Sequence, residues 1–307
     1  MARAFVFPGQ GAQSVGMGRD LAEAYPAARA VFEEVDDALG DRLSRLVWEG
    51  PAEALTLTAN AQPALMATSL AALRALEAEG LGACDMVAGH SLGEYSALAA
   101  AGAIGVGDAA RLLRLRGEAM QAAVPVGVGA MAALLGLDLA AAAAVAEEAA
   151  GGEVCAAAND NDPGQVVVSG HRGAVERAVE LAKARGAKRA VMLPVSAPFH
   201  CALMQPAADA VAEALEAVEI ARPRVPLVAN VTAEGVEDPA RIKALLVEQV
   251  TARVRWRESV QWMAGQGVRE TVELGAGRAL TGMIRRIAKE IDAKAVGTAA
   301  DVADLRG

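Results

Sequence analysis

Apolar residues recur along the 307-residue chain in two rhythms, short unbroken runs and longer stretches at helical spacing, and the two alternate. Ala4–Phe7 is a short apolar run closed by Pro8-Gly9-Gln10-Gly11, and Asp20–Leu39 then carries helical spacing, which predicts strand, glycine loop and helix. Further helices are expected around Ala64–Glu79 and Gly107–Ala123. Between them Asp85–Ala88 is a brief strand that feeds Gly89-His90-Ser91-Leu92-Gly93, followed by a helical Glu94–Ala101. Such alternation predicts a parallel sheet covered by helices on both faces.

From about Gly127 the rhythm changes. Met131–Leu137 reads as strand, Leu139–Ala150 as helix, Val154–Ala158 and Gln165–Ser169 as strands, Gly173–Arg185 as helix and Lys188–Val195 as strand. That β-α-β-β-α-β order is the split pattern of a ferredoxin-like unit. Large-unit alternation then resumes with a strand at Val225–Val231, a helix at Ile242–Val250, a strand at Glu270–Leu274 and a helix at Arg278–Ile291. The expected organisation is therefore a large α/β domain of residues 1–126 and 197–307, interrupted by a ferredoxin-like subdomain at 127–196. A cleft between them is the natural ligand site.

Composition narrows the function classes. Hydrophobic residues make up 54% and charged residues 22%, well away from the disordered corner. A net charge of −9, with no basic run interleaved with the 3% aromatics, disfavours nucleic acid as partner. Three widely spaced cysteines, Cys84, Cys155 and Cys201, fit neither a disulfide framework nor a paired metal site, so the default is a reducing compartment, the cytoplasm, with no metal. The first apolar run stops at Pro8, too early for a signal peptide. Gly127 to Ala146 is nearly all apolar, but its residues are mostly Ala and Gly, with turn punctuation at Gly136 and Asp138, so a membrane span is rejected in favour of strand and helix.

Gly89-His90-Ser91-Leu92-Gly93 matches Gly-x-Ser-x-Gly between a strand and a helix, where a tight turn lifts a serine above the sheet edge. A chain with this glycine and serine content gives about 0.08 such matches by chance, before the strand and helix context is required. The Leu92 N–H at the helix start is placed to hold an oxyanion. A serine needs a base, and the chain has only His90, His171 and His200. His90 adjoins the serine, where side chains point apart, and His171 lies in a turn of the small unit. His200, ending the proline-bounded segment Pro194–His200 where the chain re-enters the large domain, remains. The Pro8–Gln13 loop lacks both nucleotide-binding glycine patterns and is suited instead to supplying a second oxyanion N–H.

Arg116 falls inside an apolar stripe with Leu112, Leu115, Ala119 and Met120, at about 100° per residue along its helix. A buried guanidinium cannot discharge, so it needs an anion. Periodicity leaves two candidates, a carboxylate of the protein, which it favours, or one on the substrate.

Phe7–Gln13, Gly89–Tyr95, Arg116–Gln121 with Val128–Met131, Asn161–Val166, Pro198–Met204 and Glu273–Gly277 together resemble the malonyl-CoA:acyl carrier protein transacylase family, acyltransferases of fatty acid synthesis with relatives in polyketide synthases. The resemblance runs nearly end to end. It implies an α/β-hydrolase-like core with a ferredoxin-like subdomain, Ser91 as nucleophile and His200 as base, and the N–H groups of Gln10 and Leu92 as oxyanion hole. It also implies Arg116 as partner of the malonyl carboxylate and the backbone carbonyl of Gln249 as the group orienting the histidine. Asn161 and Phe199 would line the pocket. Malonyl-CoA and acyl carrier protein would be the partners of a monomer, with coenzyme A thioester as substrate and no cofactor. The rival is a serine hydrolase or thioesterase using the same Ser-His pair. Because carrier proteins of this pathway are acidic like the chain itself, docking would need local basic clusters, such as Lys183, Arg185, Lys188 and Arg189, or Arg285, Arg286 and Lys289.

Overall fold

The computed structural model describes residues 2–195 and 197–306; the expected domain limits at Met1, Ser196 and Gly307 lie outside the described residues. Among the described residues ten strands form two separate sheets. The larger is built from β1 (Ala2–Phe7), β2 (Met86–Gly89), β7 (Leu227–Val228), β8 (Gly235–Val236), β9 (Val268–Leu274) and β10 (Asp292–Val296), in the order β10-β9-β1-β2-β7-β8. All neighbours are parallel except β7 and β8, which form a small antiparallel hairpin.

Alternation along β1 explains the layering. Phe5 and Phe7 face a core with Leu65, Leu70, Val87, Leu98 and Leu113, whereas Ala4 and Val6 face a second core with Val228, Trp256, Val268 and Ile284. Successive side chains of a strand leave opposite faces, so one apolar run supplies both layers of a sandwiched parallel sheet. Each wholly buried Phe contributes roughly 1.5–3 kcal/mol. β1 is thereby fixed at the centre of the sheet, with Phe7 in register with Gly89 of β2.

The smaller sheet, β3 (Gly129–Leu135), β4 (Cys155–Asp162), β5 (Gln165–His171) and β6 (Arg189–Met192), is wholly antiparallel in the order β4-β5-β3-β6. One face packs on the helices Leu139–Ala150 and Arg172–Ala184 through Ala132, Leu134, Val145, Val166, Val168 and Val175. The other face presents Met131 and Val167, against which Leu193, Val195 and Phe199 pack. A seam joins the sheets: Asn159 of β4 bridges Val254, with Asp160 N–H donating to Val254 O and Val254 N–H to Ala158 O, both at 2.9 Å. Arg257 and Arg286 reach from the large part to the buried Asp160 and Asp162 of β4, each at 2.8 Å.

Several boundaries differ from the sequence pattern. The helix expected over Asp20–Leu39 is two, Arg19–Ala24 and Pro26–Leu39, because Pro26 has no N–H to continue the first. The helix expected at Ala64 starts six residues earlier and spans Thr58–Ala78, with Pro63 inside it. The strand expected over Val225–Val231 shrinks to Leu227–Val228, since the chain turns at Ala229–Ala233, where Ala233 has φ 58°. The helix expected over Arg278–Ile291 is Ala279–Ile287, and the edge strand β10 follows it. Helices Gln205–Glu216, Trp256–Gly265 and Ala299–Arg306 have no counterpart in the pattern reading. No helix among the described residues is long and apolar enough to cross a membrane.

Candidate active site

β2 ends at Gly89, the chain reverses through His90 and Ser91, and the helix Gly93–Ala100 begins. Ser91 takes φ 54°, in the left-handed region that L-residues avoid. Two glycines permit the turn: a Cβ on Gly89 would sit 1.9 Å from the Gly93 carbonyl, and one on Gly93 would sit 2.2 Å from the Phe7 carbonyl oxygen. Asn230, wholly buried, clasps the turn, accepting from Ser91 N–H at 2.8 Å and donating to the Gly89 carbonyl at 2.6 Å.

The Ser91 hydroxyl lies 2.8 Å from Nε2 of His200, and Nδ1 of His200 lies 2.9 Å from the backbone carbonyl of Gln249. A carbonyl only accepts, so Nδ1 carries the proton and Nε2 offers its lone pair to the serine O–H. Burial, and secondarily the Arg116 charge, push the His200 imidazole down to about 3, which keeps it neutral with the Nε2 lone pair free. His90 points away, its Nε2 2.9 Å from Oδ1 of Asn161, and its ring 5.9 Å from that of Trp256. His171 accepts from Val154 N–H and belongs to the small sheet.

Arg116 is 1% exposed, and among the described residues it has no carboxylate within ion-pair distance. No carboxylate touches it; the Glu94 carboxyl acts on its charge from the far side of Gln249. Its guanidinium donates instead to the side-chain oxygens of Gln62 at 2.7 Å, Gln249 at 2.9 Å and Ser91 at 3.0 Å, stands 5.7 Å over the Tyr95 ring, and leaves Nε without a partner. Gly117 lets its helix approach: a Cβ there would meet the Ala59 backbone at 2.6 Å, and that close crossing brings Arg116 to Gln62. Neutral amides and a hydroxyl satisfy hydrogen-bond geometry without forming an ion pair, and the Glu94 carboxyl acts on the charge only from beyond Gln249, so the site holds a cation with no anion in contact beside the Ser91 hydroxyl.

Ser91, His200, Arg116 and Gln62 line a cavity of about 370 Å³ together with Gln10, Leu92, Met120, Met131, Asn159 and Phe199. Among the described residues the N–H groups of Gln10 and Leu92 have no acceptor in the protein, while the Gln10 side chain is held by the Thr58 hydroxyl at 2.7 Å. Two N–H donors, a cation, a hydroxyl and a neutral imidazole in one largely apolar recess suit acyl transfer from an anionic acyl group. Phe199 lines the recess as expected. Asn161 does not line it; that strand face contributes Asn159, and Asn161 serves His90.

Sequence reasoning named Gln249 only for its carbonyl and passed over Gln62, Asn230 and Glu94. Asn230 stands alone in the apolar run Val225–Val231, which is the signal that could have found it. Glu94, 1% exposed, accepts from Nε2 of Gln249 at 2.8 Å and from the Asn230 N–H at 3.2 Å, and burial pushes its carboxyl up to about 7. Among the described residues no group of three or more His, Cys, Asp or Glu could hold a metal ion.

The acyl transferase domain model matches residues 4–304. The chain is 50% identical over 293 residues to the malonyl CoA-acyl carrier protein transacylase of Escherichia coli, covering 95% of each. It superposes with a TM-score of 0.97 on the acyl-carrier-protein-S-malonyltransferase of Bartonella henselae, at 57% identity, covering 99% of this chain and 98% of the other. A malonyl-transacylase solved in complex with its type II polyketide synthase acyl-carrier protein gives a TM-score of 0.96 at 46% identity, covering 99% and 98%.

Proposed function

The chain belongs to the acyl transferase family, and we propose that it moves a malonyl group from malonyl-CoA to acyl carrier protein in fatty acid synthesis, through a malonyl ester on Ser91. The observation that carries this reading is Arg116, buried with no carboxylate in contact, 3.0 Å from the hydroxyl that would be acylated. The free carboxylate of a malonyl group supplies the missing anion.

In the first half-reaction Ser91 Oγ attacks the thioester carbonyl while its proton passes to Nε2 of His200. The oxyanion accepts from the N–H groups of Gln10 and Leu92. Collapse breaks the C–S bond, and the imidazolium returns the proton to the departing coenzyme A sulfur. In the second, the phosphopantetheine thiol of the carrier protein gives its proton to His200 and its sulfur attacks the ester carbonyl; the C–O bond to Ser91 breaks and the imidazolium returns the proton to Ser91 Oγ. Gln249 O holds the imidazole throughout, so no triad carboxylate is required. Ping-pong kinetics follow.

A serine hydrolase would use the same pair, but ordinary ester substrates bring no carboxylate to Arg116. We further read residues 1–126 and 197–307 as an α/β-hydrolase-like core and 127–196 as an inserted ferredoxin-like subdomain. The order β4-β5-β3-β6 and the helices after β3 and β5 support that reading. A monomer in the cytoplasm completes the proposal, in keeping with three free cysteines. For carrier docking the basic clusters lose force, since Lys183, Arg185 and Arg286 are paired on this chain with Glu180, Glu148 and Asp162.

The test is incubation with malonyl-CoA, acid trapping and intact mass, alongside Ser91→Ala. A malonyl adduct on the parent, absent from the variant and discharged faster by carrier protein than by water, is expected. Steady release of malonate without carrier protein would point to the hydrolase.

A further inference from the structure

Glu94 takes no part in the chemistry above, yet it is a buried acid one helical turn from the nucleophile. Its Oε2 receives two donors, Nε2 of Gln249 at 2.8 Å and the backbone N–H of Asn230 at 3.2 Å. Gln249 is the junction of the site. Its backbone oxygen faces His200 Nδ1 at 2.9 Å, its Oε1 accepts from Arg116 at 2.9 Å, and its Nε2 also reaches the Ser91 carbonyl at 3.0 Å. Of the acceptors at its nitrogen end the Glu94 oxygen is the nearest, ahead of the Ser91 carbonyl and of Asn230 Oδ1 at 3.4 Å. With the amide reversed, its NH2 group would face the Arg116 guanidinium, donor against donor, and its oxygen would face Glu94.

We infer that Glu94 is a positioning residue for His200, acting through the Gln249 side chain, which it holds so that the residue's backbone carbonyl stays aligned with Nδ1. Asn230, whose side chain clasps Ser91 and Gly89, is anchored by the same carboxyl oxygen, so nucleophile and base share one support. The role needs an acceptor oxygen, not a charge. A glutamine at position 94 offers the same oxygen to both donors; an alanine offers none, and an aspartate withdraws it by one methylene.

The inference rests on the acylation chemistry proposed above, and its test separates the two. Glu94→Ala, Glu94→Gln and Glu94→Asp are compared in the full chain by single-turnover acylation with malonyl-CoA and acetyl-CoA, and by labelling of Ser91 with a fluorophosphonate. Rates are taken per titratable site, so a misfolded fraction does not count. The alanine variant should react about 100-fold more slowly with all three electrophiles, the scale set by a misplacement of about 1 Å at the reacting atoms. Glutamine should restore the rate to within about threefold, with aspartate between, because the acceptor is what places the base. Malonyl-CoA affinity, measured on a Ser91→Ala background, should hardly move. Parental rates in the alanine variant would overturn the inference, as would a glutamine variant no better than alanine. Should alanine fail to fold, aspartate against glutamine decides. If the parent reacts with the fluorophosphonate but takes no malonyl group, the functional reading falls, and the labelling rates still judge Glu94.

Discussion

Arg116 beneath the cavity and Arg257 at the seam between the sheets both engage groups removed from water, but their partners differ in kind. Arg257 reaches Asp160, 1% exposed, at 2.8 Å, and Arg286 repeats the arrangement with Asp162. Each seam arginine carries its own counter-charge, so it has nothing left to offer a ligand. Arg116 is more deeply buried than either, yet meets only amides, a hydroxyl and an aromatic face. A cation held in place but not neutralised is unstable against any carboxylate that can enter, and this is the property of a binding site. The same residue type thus ties β4 to the large part in one region and, under the proposed function, would receive the substrate carboxylate in the other.

The largest effect should come from removing the pair that the Arg116 region serves. Ser91→Ala or His200→Ala is expected to lower acylation by about 10³-fold or more, with no adduct on the serine variant. Arg257→Ala, measured beside them, should leave per-site acylation near the parental rate. A large loss there would mean that the seam is not merely structural.

Arg116→Ala sharpens the comparison further. Loss of a desolvated pair with the malonyl carboxylate should cost about 2–5 kcal/mol in kcat/KM for malonyl-CoA. Acetyl-CoA, which has no such carboxylate, should suffer far less. Equal losses for the two substrates would place Arg116 with the seam arginines as a structural cation.

At the seam the expected effects are on stability and are unequal. Arg257→Ala strands the buried Asp160 carboxylate, whereas Asp160→Ala leaves an arginine already 24% exposed and able to turn to water. The first should therefore cost more, about 1–3 kcal/mol in denaturant unfolding. The reverse order would show that Asp160 is better solvated than its burial implies.

Legibility in the sequence follows the same division. Elements whose own residues carry the period were readable: β1, β2 and the strand and helix order between 129 and 192 lie where the patterns put them, with ends shifted by a few residues. The elbow was readable because its glycines are demanded by contacts of 1.9 and 2.2 Å that no other residue survives. His200 emerged by elimination among three histidines. What was not legible depends on segments distant in sequence. Whether Arg116 has a carboxylate partner is decided by what folds against it: none touches it, and Glu94 acts on it from beyond Gln249, which periodicity along one helix does not reveal. Asn230 sits where a strand was expected to continue, and the strand stops at Val228 so that the next residues can turn toward the serine. Helix Trp256–Gly265 and β10 went unread because each packs against long-range neighbours while its own polar residues blur the period.

The smallest effect concerns pH, and its sign can be worked out for two groups of the site. Burial lowers His200 from 6.5 to about 3, so between those values the unfolded chain holds the proton that the folded one refuses. Its contribution is complete above about pH 6.5 and is lost as pH falls toward 3. Glu94 is raised by burial from 4.5 to about 7, so there the folded chain binds the extra proton. Its contribution is complete below 4.5 and is lost as pH rises through 7. Between 4.5 and 6.5 the two slopes oppose each other, and the parent should show little pH dependence from this pair. Glu94→Gln removes one slope and keeps the hydrogen bonds. Its melting temperature relative to the parent should therefore rise from pH 5 to pH 8, by a few degrees at most. A difference that stays constant across that range would mean that Glu94 ionises in the folded protein as it does in water, and that the floor of the cavity is wetter than its geometry suggests.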